Sequence, residues 1–158
     1  MAEERLRVLF LCTGNSARSQ IAESILRYLS SGAIDVVSAG TDPQLEIQPL
    51  ARKAVQALIG VDMAGQFPKS LDAFRHQHFD YVITVCDNAA EHCPVFSGVG
   101  ERIHWSLADP AAVTDTDESR QKAFDNTAHE LLSRLRRWLV LPAVQSRVKP
   151  HETSSGRR

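Results

Sequence analysis

Cys12, Arg18 and Ser19 stand in the pattern cysteine, five residues, arginine, serine within Cys12-Thr13-Gly14-Asn15-Ser16-Ala17-Arg18-Ser19. A thiolate is a strong nucleophile, and a guanidinium is a planar fork that grips two oxygens of a tetrahedral anion. The segment links an apolar run to a helical pattern. Its backbone N–H groups are therefore expected to converge at a helix N-terminus, where anions bind. Gly14 and Asn15 tolerate the left-handed backbone that such a curl requires. The same positive field predicts a Cys12 thiol titrating below its free value of about 8.5, with the Ser19 hydroxyl donating to the sulfur. The chemistry implied is attack by Cys12 on an oxyanion held by Thr13, Gly14, Asn15, Ser16, Ala17, Arg18 and Ser19. A lone Cys-x5-Arg would carry little weight; the strand–loop–helix context and the glycine make the case.

Such an attack needs a proton donor for the departing oxygen. Asp109-Pro110, after Trp105-Ser106-Leu107-Ala108, supplies a carboxyl on a loop whose backbone the proline restrains. Asp-Pro alone usually marks only a turn. Asp115 and Asp117 are nearby but lack the proline, and read as solvated charges. Two further cysteines, Cys86 and Cys93, are separated by six residues. Three cysteines make a poor structural disulfide framework, so each is a candidate reactive thiol.

The elements that must position these residues follow from periodicity. Arg5–Leu11 reads as a buried strand, and Ser16–Leu29 has helical spacing through Ala17, Ile21, Ala22, Ile25, Leu26 and Leu29. Ile34–Ala39 is a second strand, broken by Gly40-Thr41-Asp42-Pro43. Leu50–Ile59 is a helix after Pro49, and a short helix is expected at Ser70–Arg75. Phe79–Val85 is the strongest β signal and Arg102–Trp105 a short fourth strand. A long helix spans Asp117–Val140 and stops before Pro142. Alternating strands and helices predict an α/β fold with a central four-stranded parallel sheet and helices on both faces. Ligands bind at the carboxyl ends of strands in such sheets. Cys12, Cys86 and Asp109 all fall there by chain order. Residues 1–145 are expected to form one catalytic domain and 146–158 a disordered polar tail.

The chain has 158 residues, is 43% hydrophobic, and balances 18 Lys and Arg against 19 Asp and Glu for a net charge of −1. That balance excludes the electrostatic footprint of a nucleic-acid or anionic-membrane binder. With no apolar run long enough to span a bilayer and no signal-peptide layout, a soluble cytoplasmic protein is expected.

The loop CTGNSARS after an apolar strand resembles the active-site loop of the low-molecular-weight protein tyrosine phosphatase superfamily, and the resemblance runs over roughly Arg5–Leu141. It implies that Cys12 attacks the oxyanion centre and Arg18 holds its oxygens. It further implies that Asn15 stabilises the loop backbone, Ser19 supports the thiolate, and Asp109 is the general acid. Asn15, Glu23 and Ser38 match positions that surround a potassium ion in some relatives. Lys69 stands where those relatives place an acidic residue, its ammonium able to replace the cation, so no metal is assigned; no cofactor is expected either.

Two enzyme readings remain. A phosphatase needs one thiol, because water hydrolyses its phospho-cysteine. Arsenate, the near-isostere of phosphate, fits the same loop but takes two electrons from thiols when it is reduced. CDNAAEHCP at Cys86–Pro94 and HWSLADPA at His104–Ala111 look like the arsenate reductase branch of the superfamily, the one coupled to thioredoxin. That resemblance implies a relay in which Cys12 binds arsenic, Cys86 attacks the adduct to release arsenite, and Cys93 resolves the disulfide. Thioredoxin is the reductant it implies, with a small-molecule thiol plus glutaredoxin or mycoredoxin as the alternative. The alternative activity is an aryl or phosphotyrosine phosphatase using Cys12 and Asp109. Against it, Ala111 and Ala112 follow Pro110 where such phosphatases carry tyrosine. A module that merely senses the anion would need no acid. A zinc site from Cys86, His92 and Cys93 lacks compact Cys-x2-Cys pairing. The six histidines (His76, His78, His92, His104, His129 and His151) form no catalytic or metal set.

Overall fold

The structure is a computed structural model and describes residues 5–87 and 99–148. Strand β1 (Leu6–Cys12) leads into helix α1 (Arg18–Ser30), followed by β2 (Ile34–Gly40) and α2 (Pro49–Ile59). A 3₁₀ turn at Leu71–Phe74 precedes β3 (Phe79–Thr84). Beyond β4 (Val99–His104) come a 3₁₀ turn at Pro110–Ala112, the long helix α3 (Asp117–Leu139) and the short α4 (Pro142–Gln145). The strands form one parallel sheet in the order β2-β1-β3-β4. Central strand β1 shows why both faces must be covered: Val8, Leu9, Phe10 and Leu11 alternate in direction, yet all are fully buried.

Helix α1 lays Ile21, Ala22, Ile25 and Leu26 into the core, spaced as a helical stripe requires. Helix α3 contributes Phe124, Leu131, Leu135 and Trp138. The Trp138 ring meets Tyr81 of β3 edge-on, with centroids 5.1 Å apart. The ends of α3 suit the helix dipole. The Thr116 side chain accepts from the Ser119 N–H, Asp117 and Glu118 fill the first turn, and Arg136 and Arg137 the last.

Three elements differ from expectation in type or by more than one residue, each for a local reason. Helix α1 begins at Arg18 rather than Ser16, because Ala17 sits at φ −144°, ψ −85°, outside the helical region. The short helix expected at Ser70–Arg75 is a 3₁₀ turn opened by the Ser70 hydroxyl, which accepts from the Asp72 N–H. Strand β4 starts at Val99 instead of Arg102. Glycine and glutamate there carry no β signal, but a Cβ on Gly100 would lie 2.7 Å from the Asp80 carbonyl oxygen, so only glycine lets β4 approach β3. At the far end, Pro142 opens α4, Val144 is buried, and Arg147 pairs with Asp80 at 2.8 Å. Arg147, expected in the tail, is thus tied to the sheet.

Candidate active site

The loop between β1 and α1 is shaped by where its carbonyls go. The carbonyl oxygens of Cys12, Thr13, Gly14 and Ser16 accept from the backbone N–H groups of Thr41, Asp42, Gln44 and Gln48. That of Asn15 accepts from the Gln20 side-chain amide, and that of Ala17 from the Ile21 N–H inside α1. Six consecutive carbonyls therefore point away from the loop's interior. A carbonyl and the following N–H share one rigid plane and point in opposite directions. The N–H groups of residues 13 to 18 consequently turn inward, one of them, from Asn15, donating to the Cys12 sulfur at 3.2 Å. The loop is a ring of donors with a thiol at its base, which is the arrangement an oxyanion needs.

Asn15 carries the strain of this path at φ 50°. Its fully buried side chain uses its amide completely. The amide nitrogen donates to Ser19 Oγ at 2.8 Å and Ser38 Oγ at 3.0 Å, and the oxygen accepts from Gln20 Nε2 at 3.0 Å and the Lys69 N–H at 2.9 Å. Sequence reasoning found Asn15 but missed Gln20, which is itself held by Gln66. A lone glutamine on a helix gives no signal of such a role. It also missed Gly40. A Cβ there would lie 2.4 Å from the Thr13 carbonyl oxygen, so the end of β2 can touch the loop only as glycine.

The residues expected around a potassium ion do not fit one. Asn15 turns its amide nitrogen toward Ser38, and Ser38 donates to Glu23 at 2.6 Å. The other Glu23 oxygen pairs with Arg27. The Lys69 ammonium donates to the Phe67 carbonyl, and the Lys69 backbone N–H reaches the Asn15 side chain. Burial pulls the Lys69 ammonium below its ordinary value, against the opposing charge of Glu23.

Cys12 closes β1, 3% exposed, with its sulfur 2.8 Å from Ser19 Oγ. Burial pushes the thiol up from its ordinary value, and the neighbouring Cys86 adds to that. The Ser19 hydroxyl and backbone N–H and the Asn15 N–H pull it down. The donors that the sequence implied are present, but desolvation outweighs them, which corrects the expectation of a depressed thiol. The thiolate therefore gains population as pH rises, and removing a donor must move its titration further upward. In Ser19→Ala, the pH midpoint of Cys12 alkylation by iodoacetamide is expected to shift to higher pH. An unchanged or lower midpoint would exclude Ser19 as a support of the thiolate.

Arg18, the first residue of α1, donates to the Leu107 carbonyl at 2.9 Å and lies 3.8 Å from Asp109. Asp109 is half exposed and caps the 3₁₀ turn at Pro110–Ala112 by accepting from the Ala111 N–H. Pro110 thus fixes the turn that brings the carboxyl to the mouth of the loop. Cys86, buried just past β3, lies 3.3 Å from Thr13 Oγ1. Cys93 lies outside the described residues. Cys12, Thr13, Gly14, Asn15, Ser16, Ala17, Arg18, Cys86 and Asp109 line one open cleft of about 810 Å³, joined by Asp42–Gln44, Gln48, Asp87 and Ser106–Ala108. Ser19 stands behind it, on the Cys12 sulfur.

His104, assigned from sequence to no catalytic or metal set, bridges Thr84 and Asp87, which flank Val85 and Cys86 in the chain. Its Nε2 lies 2.8 Å from the Asp87 carboxylate and its Nδ1 2.7 Å from Thr84 Oγ1. The bonds from His104 and Ser106 hold the Asp87 carboxyl below its usual range, so Asp87 is a standing acceptor and a poor proton donor. Asp109, 3.8 Å from Arg18, shares the cleft with Asp87 and Asp42.

Comparison with known proteins agrees with this geometry. The family model described as low molecular weight phosphotyrosine protein phosphatase matches residues 7–150. An arsenate reductase of Halalkalibacterium halodurans is 37% identical over 129 residues, covering 82% of this chain and 91% of that protein. A solved arsenate reductase in the phosphate-binding state superimposes with a TM-score of 0.67 at 26% identity, covering 85% of this chain and 96% of the other. A thioredoxin-dependent arsenate reductase of Corynebacterium glutamicum gives a TM-score of 0.59 at 31% identity, covering 87% and 65%. Strand order, donor loop and a match spanning almost every described residue lead to one assignment: the chain belongs to the low molecular weight phosphotyrosine protein phosphatase family.

Proposed function

We propose that this chain is an arsenate reductase in which Cys12, Cys86 and Cys93 pass a disulfide outward to thioredoxin. The observation that carries the reading is the second thiol: Cys86 is buried in the wall of the cleft that Cys12 closes, hydrogen-bonded to the loop residue Thr13. A phosphatase has no use for it. No aromatic side chain lines the cleft among the described residues, so an aryl phosphate would find nothing to stack on. Relatives of like length are named arsenate reductases.

The steps balance as follows. Arsenate enters the ring of N–H donors, its oxygens gripped by Arg18. The Cys12 thiolate attacks arsenic, forming an S–As bond, and Asp109 protonates the oxygen that leaves as water. The Cys86 thiolate then attacks the Cys12 sulfur. A disulfide forms, the S–As bond breaks, and its electron pair stays on arsenic, which departs as arsenite. Cys93 attacks Cys86, freeing the Cys12 thiolate and leaving Cys86–Cys93, which a thioredoxin dithiol reduces.

Mass spectrometry after arsenate treatment tests the order. The parent chain is expected to accumulate Cys86–Cys93, and Cys93→Ser a trapped Cys12–Cys86 disulfide. Arsenate-independent oxidation, or full aryl phosphatase turnover in Cys86→Ser with no arsenite formed by the parent, would assign the phosphatase reading instead.

A further inference from the structure

Cys86 can serve the second step only if its sulfur is held against the Cys12 loop, and one ring bonds side chains on both sides of it. Two residues before Cys86, the Thr84 hydroxyl lies 2.7 Å from His104 Nδ1. One residue after it, the Asp87 carboxylate lies 2.8 Å from His104 Nε2 and 3.1 Å from Ser106 Oγ. A carboxylate only accepts, so Nε2 carries the proton and donates. The ring spans the gap because β3 and β4 are parallel and in register, with Thr84 paired to His104. The Trp105 N–H donates to the Thr84 carbonyl at 2.9 Å and the Val85 N–H to the Leu11 carbonyl at 2.9 Å, fixing the strands beneath the turn. Residues 84 to 87 therefore leave the sheet on a path set from both neighbouring strands, with Cys86 at its apex toward Thr13.

We propose that His104 and Asp87 are positioning residues for Cys86, clamping the turn that aims its sulfur at Cys12. Neither touches the reacting atoms; both act through Cys86. The proposal rests on the reading of Cys86 as the second thiol, but its test does not need arsenate. In a Cys93→Ser background, diamide takes two electrons and two protons from Cys12 and Cys86, forming their disulfide while its N=N bond becomes a hydrazine. His104→Ala and Asp87→Ala are each expected to slow this step by about ten- to a hundredfold, the scale of a small misplacement of a reacting group. The double variant should be slower by clearly less than the product of the two single effects, because both single variants lose the His104–Asp87 bond. His104→Gln, whose amide N–H can occupy the place of Nε2–H, should recover most of the rate.

Protection of Cys12 against iodoacetamide by inorganic phosphate reads the loop alone and should change by no more than about twofold in His104→Ala, since His104 does not line the cleft. Diamide rates at the parent level in His104→Ala, no recovery in His104→Gln, or loss of phosphate protection in step with the slower rate would each overturn the clamp. A parent chain that forms the disulfide with diamide but not with arsenate would overturn the reductase reading and leave the clamp standing.

Discussion

Cys12→Ser is expected to lower arsenate turnover by about 10⁴-fold or more, the scale seen when a covalent nucleophile is removed from a working site. A serine hydroxyl in this buried position, at most 3% exposed, stays protonated, and it cannot take part in a disulfide whatever its geometry. Both halves of the reaction fail together: no S–As bond forms and no sulfur is present for Cys86 to attack. Anion binding should survive, because the inward N–H groups and Arg18 remain. Calorimetry with inorganic phosphate should give an affinity near that of the parent. Turnover persisting in the variant would remove Cys12 from the chemistry; loss of phosphate binding with it would make the sulfur a part of the loop's frame.

The second large effect is expected at a residue that touches no substrate. In Gly40→Ala, the new Cβ meets the Thr13 carbonyl oxygen at 2.4 Å and the Asn15 backbone nitrogen at 3.1 Å. Both are backbone atoms, so no rotamer change relieves the overlap, and the end of β2 or the loop must move. Overpacking of this kind costs about 1–3 kcal/mol of stability. A displacement near 1 Å in the anion ring is expected to cost about a hundredfold in kcat/KM for arsenate. Thermal melting and steady-state kinetics check the two parts. A folded variant with parental kcat/KM would show that the loop tolerates a shift of its outer support.

Chemistry was more legible from sequence than its support was. Cys12, Arg18, Asn15 and Asp109 are close in chain or carry distinctive types, and the cleft collects them. Strand and helix existence followed from apolar periodicity, because β1 is apolar at every position but Arg7 and α1 carries an apolar stripe through Ile21, Ala22, Ile25 and Leu26. What escaped depends on approach between distant segments. Gly40 and Gly100 matter for an atom that would collide, which no local pattern records. Gln20 acts on a loop carbonyl and on Phe67, while His104 acts across a strand register that has to be known first. The depressed thiol expected from the basic loop failed for the same reason: burial of Cys12 depends on the whole sheet, and it outweighs the local donors.

The outward carbonyls have a consequence for how the site tolerates change. Because the anion cup is made by the course of the main chain, and only Arg18 adds a side-chain fork, the information that specifies it is spread across segments distant in the chain. Thr41, Asp42, Gln44 and Gln48 hold the cup through their own peptide groups, and the Gln48 side chain adds a bond to Ser16 Oγ. The cup then cannot tell arsenic from phosphorus by shape. In the proposed reading, what happens to a bound oxyanion is decided instead in the neighbouring wall, where Cys86 places one more sulfur.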